Sequence, residues 1–231
     1  MACILSIESS TQICSVAISN CGKPVWNKEN TDFSSHSSAL GVYIAEAIRF
    51  IHANHFRLDA VAVSEGPGSF TGLRIGVSLA KGLCFGWDIP LIALPTLKIM
   101  SSRFVPSSSY LCPMIDARRM EVYAALFDGN LNEQEPVQAM IIDEDSFRDL
   151  LTKNKIIFFG NGTDKCKSVI HSKNAKFVGN IIPLAINMIN EAENAFFRKE
   201  FVNIAYFEPY YLKDFQATVP KNKVIPNLNK I

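Results

Sequence analysis

The sequence has no CxxC pair, no histidine cluster, no long apolar run and almost no net charge. Its six cysteines, at 3, 14, 21, 84, 112 and 166, are scattered, which excludes a thioredoxin-type redox pair and a zinc ribbon. Three of them lie in strongly apolar stretches where free cysteine packs as a small hydrophobe, so reduced structural thiols and a cytoplasmic location are expected. No apolar run nears the ~20 residues of a membrane-spanning helix, and no basic leader precedes the first strand-like stretch, so neither membrane insertion nor export is expected. The one close histidine pair, His52 and His55, stands at the polar end of a helical stretch without a third ligand, and no metal site is expected. His171 has no serine or cysteine partner pattern around it, and no residue is singled out as catalytic. The formal charge of +1 gives no overall attraction for nucleic acid. If RNA is involved, another chain is expected to supply most of the grip. One local exception is the segment 213–231, four lysines against one aspartate, which reads either as a solvated tail or as an RNA contact.

What is present suits a folded α/β protein. At 231 residues with 48% apolar and 19% charged residues, the chain can bury two cores and is far from the composition of disorder. Residues 3–8, 14–19 and 24–29 read as three strands of a meander. From 36 to 56 the apolar spacing turns helical, with a broad apolar side. Residues 59–64 read as a buried strand, a glycine-rich turn over 65–72 leads to a helix over 73–85, and 90–94 reads as the next strand. Thr96 is expected to cap a short helix. The serine-rich, proline-bearing stretch 101–109 reads as a link, after which strands at 111–115, 121–127 and 156–159 and a helix at 183–193 are expected. The pattern divides the chain into an N-terminal lobe, 1–104, and a C-terminal lobe, 105–231, whose basic tail from about 216 is expected to be flexible. No repeat of solenoid length is visible.

Three stretches could carry chemistry. Glu65-Gly-Pro-Gly-Ser-Phe-Thr-Gly-Leu-Arg-Ile-Gly lies between a strand and a helix, where amides and the helix dipole can hold an anion. It has no Walker lysine, its glycines do not make GxGxxG, and it contains no GxSxG elbow. Gly66, Pro67, Gly68 and Ser69 are its candidate phosphate contacts. The same stretch also reads as packing, because Gly72, Gly76, Ala80 and Cys84 recur every four residues and let another helix or sheet approach closely. Glu8-Ser9-Ser10-Thr11 sits where actin-like ATPases and sugar kinases carry a phosphate-binding turn. It lacks their Asp-x-Gly, so Ser9, Ser10 and Thr11 read as phosphate contacts or as ordinary turn residues. Asp116-Ala-Arg118-Arg119-Met120-Glu121-Val-Tyr123 gathers two arginines and two acids at a bend and reads as an ion-pair latch between lobes or as an arginine phosphate site.

Taken together, ILSIESSTQICSVAI, DAVAVSEGPGSFTGLRIGVSLAKGL, IPLIALPTL, MIDARRMEVYAALF and FEPYYLKDF resemble the TsaB (YeaZ) family over nearly the whole chain. The resemblance implies a two-lobed actin-like, sugar-kinase-like (ASKHA) α/β fold with mixed sheets flanked by helices. It implies a non-catalytic subunit that activates the related TsaD in a complex with the ATPase TsaE, transferring threonylcarbamoyl to N6 of adenosine 37 in tRNAs that read codons starting with A. The tRNA would be met indirectly, through that complex. Where TsaD carries the His-x-x-x-His of its metal site, this chain reads Ala93-Leu94-Pro95-Thr96-Leu97. No intrinsic cofactor is implied, although ATP or ADP could sit at a surface shared with TsaD. Family members pair through the helices around the glycine block, with TsaD or with a second copy when isolated. That places Tyr43, Ile44, Ala47, Ile48, Ile51, Gly72, Ile75, Gly76 and Leu79 at the interface, each of which could equally be core. Glu8 departs from the aspartate of many members, and residues 130–176 show little that matches.

The rival readings are a stand-alone ATPase or small-molecule kinase of the same fold, and a peptidase. The first lacks the Asp-x-Gly turn and an evident base, and the second lacks a ligand set or nucleophile–base spacing. On the docking reading, Gly76→Leu is expected to abolish pairing and leave the fold intact.

Overall fold

A computed structural model describes residues 2–30, 36–179 and 181–213. Strand β1 (Cys3–Glu8) is buried along its whole length, as a central strand covered on both faces must be. Its side chains alternate between two cores: Cys3, Leu5 and Ile7 join one, and Ile4, with Ala2 just before the strand, the other. β2 (Ser15–Asn20) and β3 (Lys23–Glu29) follow as antiparallel neighbours. Helix α1 (His36–Ala53) then returns the chain to β4 (Ala60–Gly66), parallel to β1, and α2 (Phe70–Trp87) returns it to β5 (Leu91–Pro95). The strand order is β3-β2-β1-β4-β5.

After α3 (Thr96–Ser101) the same plan is built again. β6 (Tyr110–Asp116), β7 (Glu121–Phe127) and β8 (Glu133–Ile141) form a meander. α4 (Arg148–Lys153), β9 (Ile156–Phe159), α5 (Thr163–Lys167) and β10 (Ala175–Val178) complete a sheet of order β10-β9-β6-β7-β8. β1–β5 thus correspond strand for strand to β6–β10, a duplication that the sequence patterns do not display. The fold is the two-lobed actin-like α/β arrangement, two mixed sheets flanked by helices.

α1 and α2 cover one face of the first sheet, packing Leu40, Ile44, Ala47, Val77 and Ala80 onto Leu5, Ile7, Val61 and Val63. The other face is closed by residues from far along the chain: Ala185–Met188, a 3-10 turn, and α6 (Ile189–Arg198) place Ala185, Met188, Ala192 and Ala195 on Ile4, Ala17 and Ala62. Ser15 Oγ accepts the Ala185 N–H at 2.8 Å. Residues 185–198, numbered in the second half, therefore complete the first lobe. α3 is shared. Ile99 belongs to the first core, while Leu97 and Met100 enter the second beside Leu111, Phe127 and Phe159. A Lys98–Glu191 ion pair at 2.7 Å joins α3 to α6.

Several details differ from the sequence expectations. Pro95, not Thr96, is the residue before α3, and Thr96 Oγ1 is buried without a hydrogen-bond partner. α2 starts at Phe70 because Ser69 Oγ accepts the Gly72 N–H at 3.2 Å, capping the helix three residues earlier than the periodicity suggests. The expected helix at 183–193 is a 3-10 turn followed by α6. β8 was not anticipated, since an edge strand with mostly exposed polar residues and Pro136 has little apolar alternation to show. Residues 214–231, with most of the basic tail, lie outside the described residues. Among the described residues no helix is long and apolar enough to cross a membrane. Burial pushes the thiols of Cys3, Cys84 and Cys166 up to about 11, so they stay protonated at neutral pH.

Phe159 is fully buried and packs on Phe104 with ring centroids 4.4 Å apart, at the seam where α3 meets the second sheet. Phe159→Ala should lower unfolding free energy by about 3–5 kcal/mol, read as a reduced urea midpoint at unchanged m-value.

Candidate functional site

The glycine block and the β1–β2 turn, the two stretches that could hold a phosphate, lie against each other. Ser69 N–H donates to Ser10 O at 2.6 Å, and Ser9 Oγ donates to Gly72 O at 2.9 Å. A Cβ at Gly68 would overlap Ser10 O, one at Gly72 would overlap Ser9 O, and one at Gly76 would overlap Ser9 Oγ. The glycines are there because the end of β1 occupies the space that side chains would take. Gly66, at φ 117°, adds a backbone conformation that L-residues avoid, and Tyr210 O lies where its Cβ would be.

Two of the amides a phosphate could use are engaged. Ser10 N–H donates to Glu8 Oε1 at 2.6 Å, and the Ser69 amide is taken by Ser10. Glu8 is completely buried and its Oε2 has no hydrogen-bond partner; burial raises its carboxyl above the ordinary value, with hydrogen bonds from Ser10 and its neighbours opposing. Glu65 is also raised by burial. Ser9, Ser10, Thr11, Gly66, Pro67, Gly68 and Ser69 are thus brought together, but as a closed packing joint beside a buried acid.

The proposed interface residues divide. Ile44, Ala47, Ile51, Gly72 and Gly76 face inward and are buried against their own sheet and turn. Tyr43, Ile48, Ile75 and Leu79 are half-buried along the flank of that core. Gly76→Leu would press its side chain on Ser9 Oγ, so a loss of pairing in that variant would be accompanied by a loss of monomer stability: the stripe serves close approach within the chain. A second stripe faces out. Gly82 and Gly86 of α2 and Gly41 of α1 have nothing within 4 Å of where a Cβ would stand, and Val42, Ser78 and Phe85 are exposed beside them. The spacing of Gly82 and Gly86 repeats that of Gly72 and Gly76 on another side of the helix, a phase difference readable from the sequence.

The FEPYY motif also finds its place. Residues 201–212 run as a strap along α2: Val202 N–H donates to Leu91 O at 2.9 Å, Lys81 Nζ to Phe207 O at 3.1 Å and Tyr210 N–H to Glu65 O at 2.7 Å. Tyr211 stacks at 4.7 Å on Phe70 and accepts from Arg74 Nε at 3.3 Å. Lys213 then ion-pairs with Glu121 of the second lobe. An ion pair thus ties the strap to this bend through Lys213, and among the described residues Arg118 and Arg119 form no ion pair. Lys165 binds Asp116 and the carbonyls of Arg119 and Glu121, the latter two at 2.8 and 2.6 Å. Burial is the largest single influence and raises the Asp116 carboxyl, but the hydrogen bonds from Lys165 and the Arg118 amide, with the charges of both residues, together outweigh it and hold the group below its usual range. Among the described residues, no three His, Cys, Asp or Glu side chains converge as metal ligands.

A family model described as "TsaD: tRNA N6-adenosine threonylcarbamoyltransferase" matches residues 33–221. The chain is 26% identical over 222 residues to the tRNA threonylcarbamoyladenosine biosynthesis protein TsaB of Haemophilus influenzae, covering 91% of this chain and 93% of that protein. It is 35% identical over 117 residues to TsaB of Bacillus subtilis, an alignment spanning 49% of this chain and 51% of the relative. A crystal structure from Pseudomonas aeruginosa, described by its similarity to peptidase YEAZ, superposes with a TM-score of 0.80 at 23% identity over 92% of this chain and 100% of that one, which shows the shared fold.

Gly76→Leu should destabilise the monomer on the order of 3 kcal/mol, visible as a lowered thermal midpoint before any pairing is measured. Because the native Glu8 carboxyl titrates above the unfolded value of 4.5, the native state holds a proton that the unfolded chain has lost, and stability should fall as pH rises from there toward the raised native pKa. Glu8→Gln should flatten that decline, as followed by thermal unfolding over a pH series; an unchanged pH profile would contradict it.

Proposed function

The chain belongs to the TsaD family, in its TsaB (YeaZ) branch, and from that premise we propose that it serves in making threonylcarbamoyladenosine in tRNA. Its part is that of a non-catalytic subunit. It docks on a TsaD-type chain and activates it to transfer threonylcarbamoyl to N6 of adenosine 37 in tRNAs that read codons starting with A, with a TsaE-type ATPase in the same complex. The observation that carries this reading is that the glycine block and the β1–β2 turn spend their donors and their space on each other.

What the first lobe offers outward is a pair of helices. Gly41, Gly82 and Gly86 permit close backbone approach, and the half-buried Tyr43, Ile48, Ile75 and Leu79 supply apolar area beside them. A helix pair of the catalytic chain fits such a surface, and in isolation a second copy of this chain would take the same place. A nucleotide at the shared surface would draw its phosphate contacts from the partner chain.

The test is reconstitution: purified TsaD-type and TsaE-type proteins with threonylcarbamoyl-adenylate and tRNA, with and without this chain, and this chain alone with ATP. Modification that depends on this chain, with no ATP turnover by it alone, is expected; turnover by the isolated chain would favour the stand-alone kinase reading. Gly82→Arg should keep the fold, since the site is open and arginine is a better helix former by roughly 0.5–1 kcal/mol, yet reduce pairing at least tenfold by analytical ultracentrifugation.

A further inference from the structure

The near-zero net charge conceals a strongly polarised second lobe. Residues 128–141, which end in edge strand β8, carry three acids and no base, while residues 153–176, at the opposite β9–β10 edge, carry six Lys against one Asp. At the start of β9 and β10 the basic residues converge. Asn174 Nδ2 donates to Leu151 O at 2.8 Å and Ile156 N–H donates to Asn174 O at 3.0 Å, which brings Lys173 beside Lys153 and Lys155. An open cavity of about 560 Å³ adjoins Lys173 and is lined also by His171, Thr152, Ser172, Glu144 and Arg148, the last ion-paired with Asp145.

Lys153, Lys155 and Lys173 are exposed, and none has an ion pair among the described residues. Lys28, Lys98, Lys165 and Lys213 all do. Neighbouring unpaired cations repel, and the fold gains nothing from holding them together; an external polyanion would remove that cost. The aromatic rings at this end are spent on one another, Phe177 stacked on the buried Phe158 and Phe147 edge-on to it, and offer no platform for bases. Lysines without stacking partners read phosphates and not sequence.

We propose that this basic end of the second lobe, centred on Lys153, Lys155 and Lys173 with His171, binds the phosphate backbone of RNA. The proposal rests on the reading that tRNA is the substrate of the complex, and makes this chain a direct contributor to the grip on it. Binding of unmodified tRNA transcript to the full chain, alone and with the TsaD-type partner, is measured by fluorescence anisotropy across a salt series. Lys153→Glu, Lys155→Glu and Lys173→Glu combined should weaken binding at least tenfold and lower the slope of log K against log salt by about 2–3, one counterion per lost contact. Lys23→Glu, an exposed charge change on β3 of the other lobe, should change neither. Unchanged tRNA affinity in the triple variant would overturn the proposal. So would loss of partner pairing at constant tRNA affinity, which would mark the surface as a protein contact. Failure of this chain to stimulate modification, with salt-sensitive tRNA binding intact, would remove the functional reading while leaving this one standing.

Discussion

Everything in the first lobe follows from how closely the turn after β4 presses on the end of β1. With hydrogen at Gly68, Gly72 and Gly76, the start of α2 can lie against Ser9 and Ser10, and two hydrogen bonds lock it there. The second lobe uses the same device. A Cβ at Gly160, after β9, would overlap Met114 O at the end of β6, and Gly162 N–H donates to that carbonyl at 3.0 Å. In each lobe one β–α turn is sealed against the central strand, which sets the angle of the following helix and decides which of its faces is left for anything else.

The two sealed halves are held by a few elements that belong to both. α3 contributes to both cores, α6 returns from the end of the chain to close the first sheet, and the 201–212 strap crosses α2 before Lys213 reaches Glu121. Apolar burial does most of this work. The ion pairs are partly exposed, and their main effect is to select register, as Lys165 does by holding the Asp116–Glu121 bend from one side.

A lobe closed in this way is poorly suited to hold a nucleotide phosphate and well suited to present helices. The β1–β2 turn has a buried carboxyl where an anion would sit, and the Ser10 amide already donates to it. Its outer helical face has open glycines and half-buried aliphatic residues, and the far lobe carries its charge separated into an acidic and a basic edge.

The strands of the first lobe, α1 and the glycine block were legible because period and turn chemistry are local, and the motif set resembled one family over nearly the whole chain. The sequence also determined that some close approach occurs at Gly72 and Gly76. Which neighbour approaches was settled only by the tertiary structure, because a small-residue stripe looks the same whether β1 or a partner helix fills it. Thr96 read as a cap and is a buried first-turn residue, and β8 was invisible because edge strands carry little alternation. The basic end of the second lobe was hidden for the same kind of reason: Lys153, Lys155 and Lys173 are dispersed along a chain of net charge near zero, and only the parallel pairing of β9 with β10 brings them to one surface.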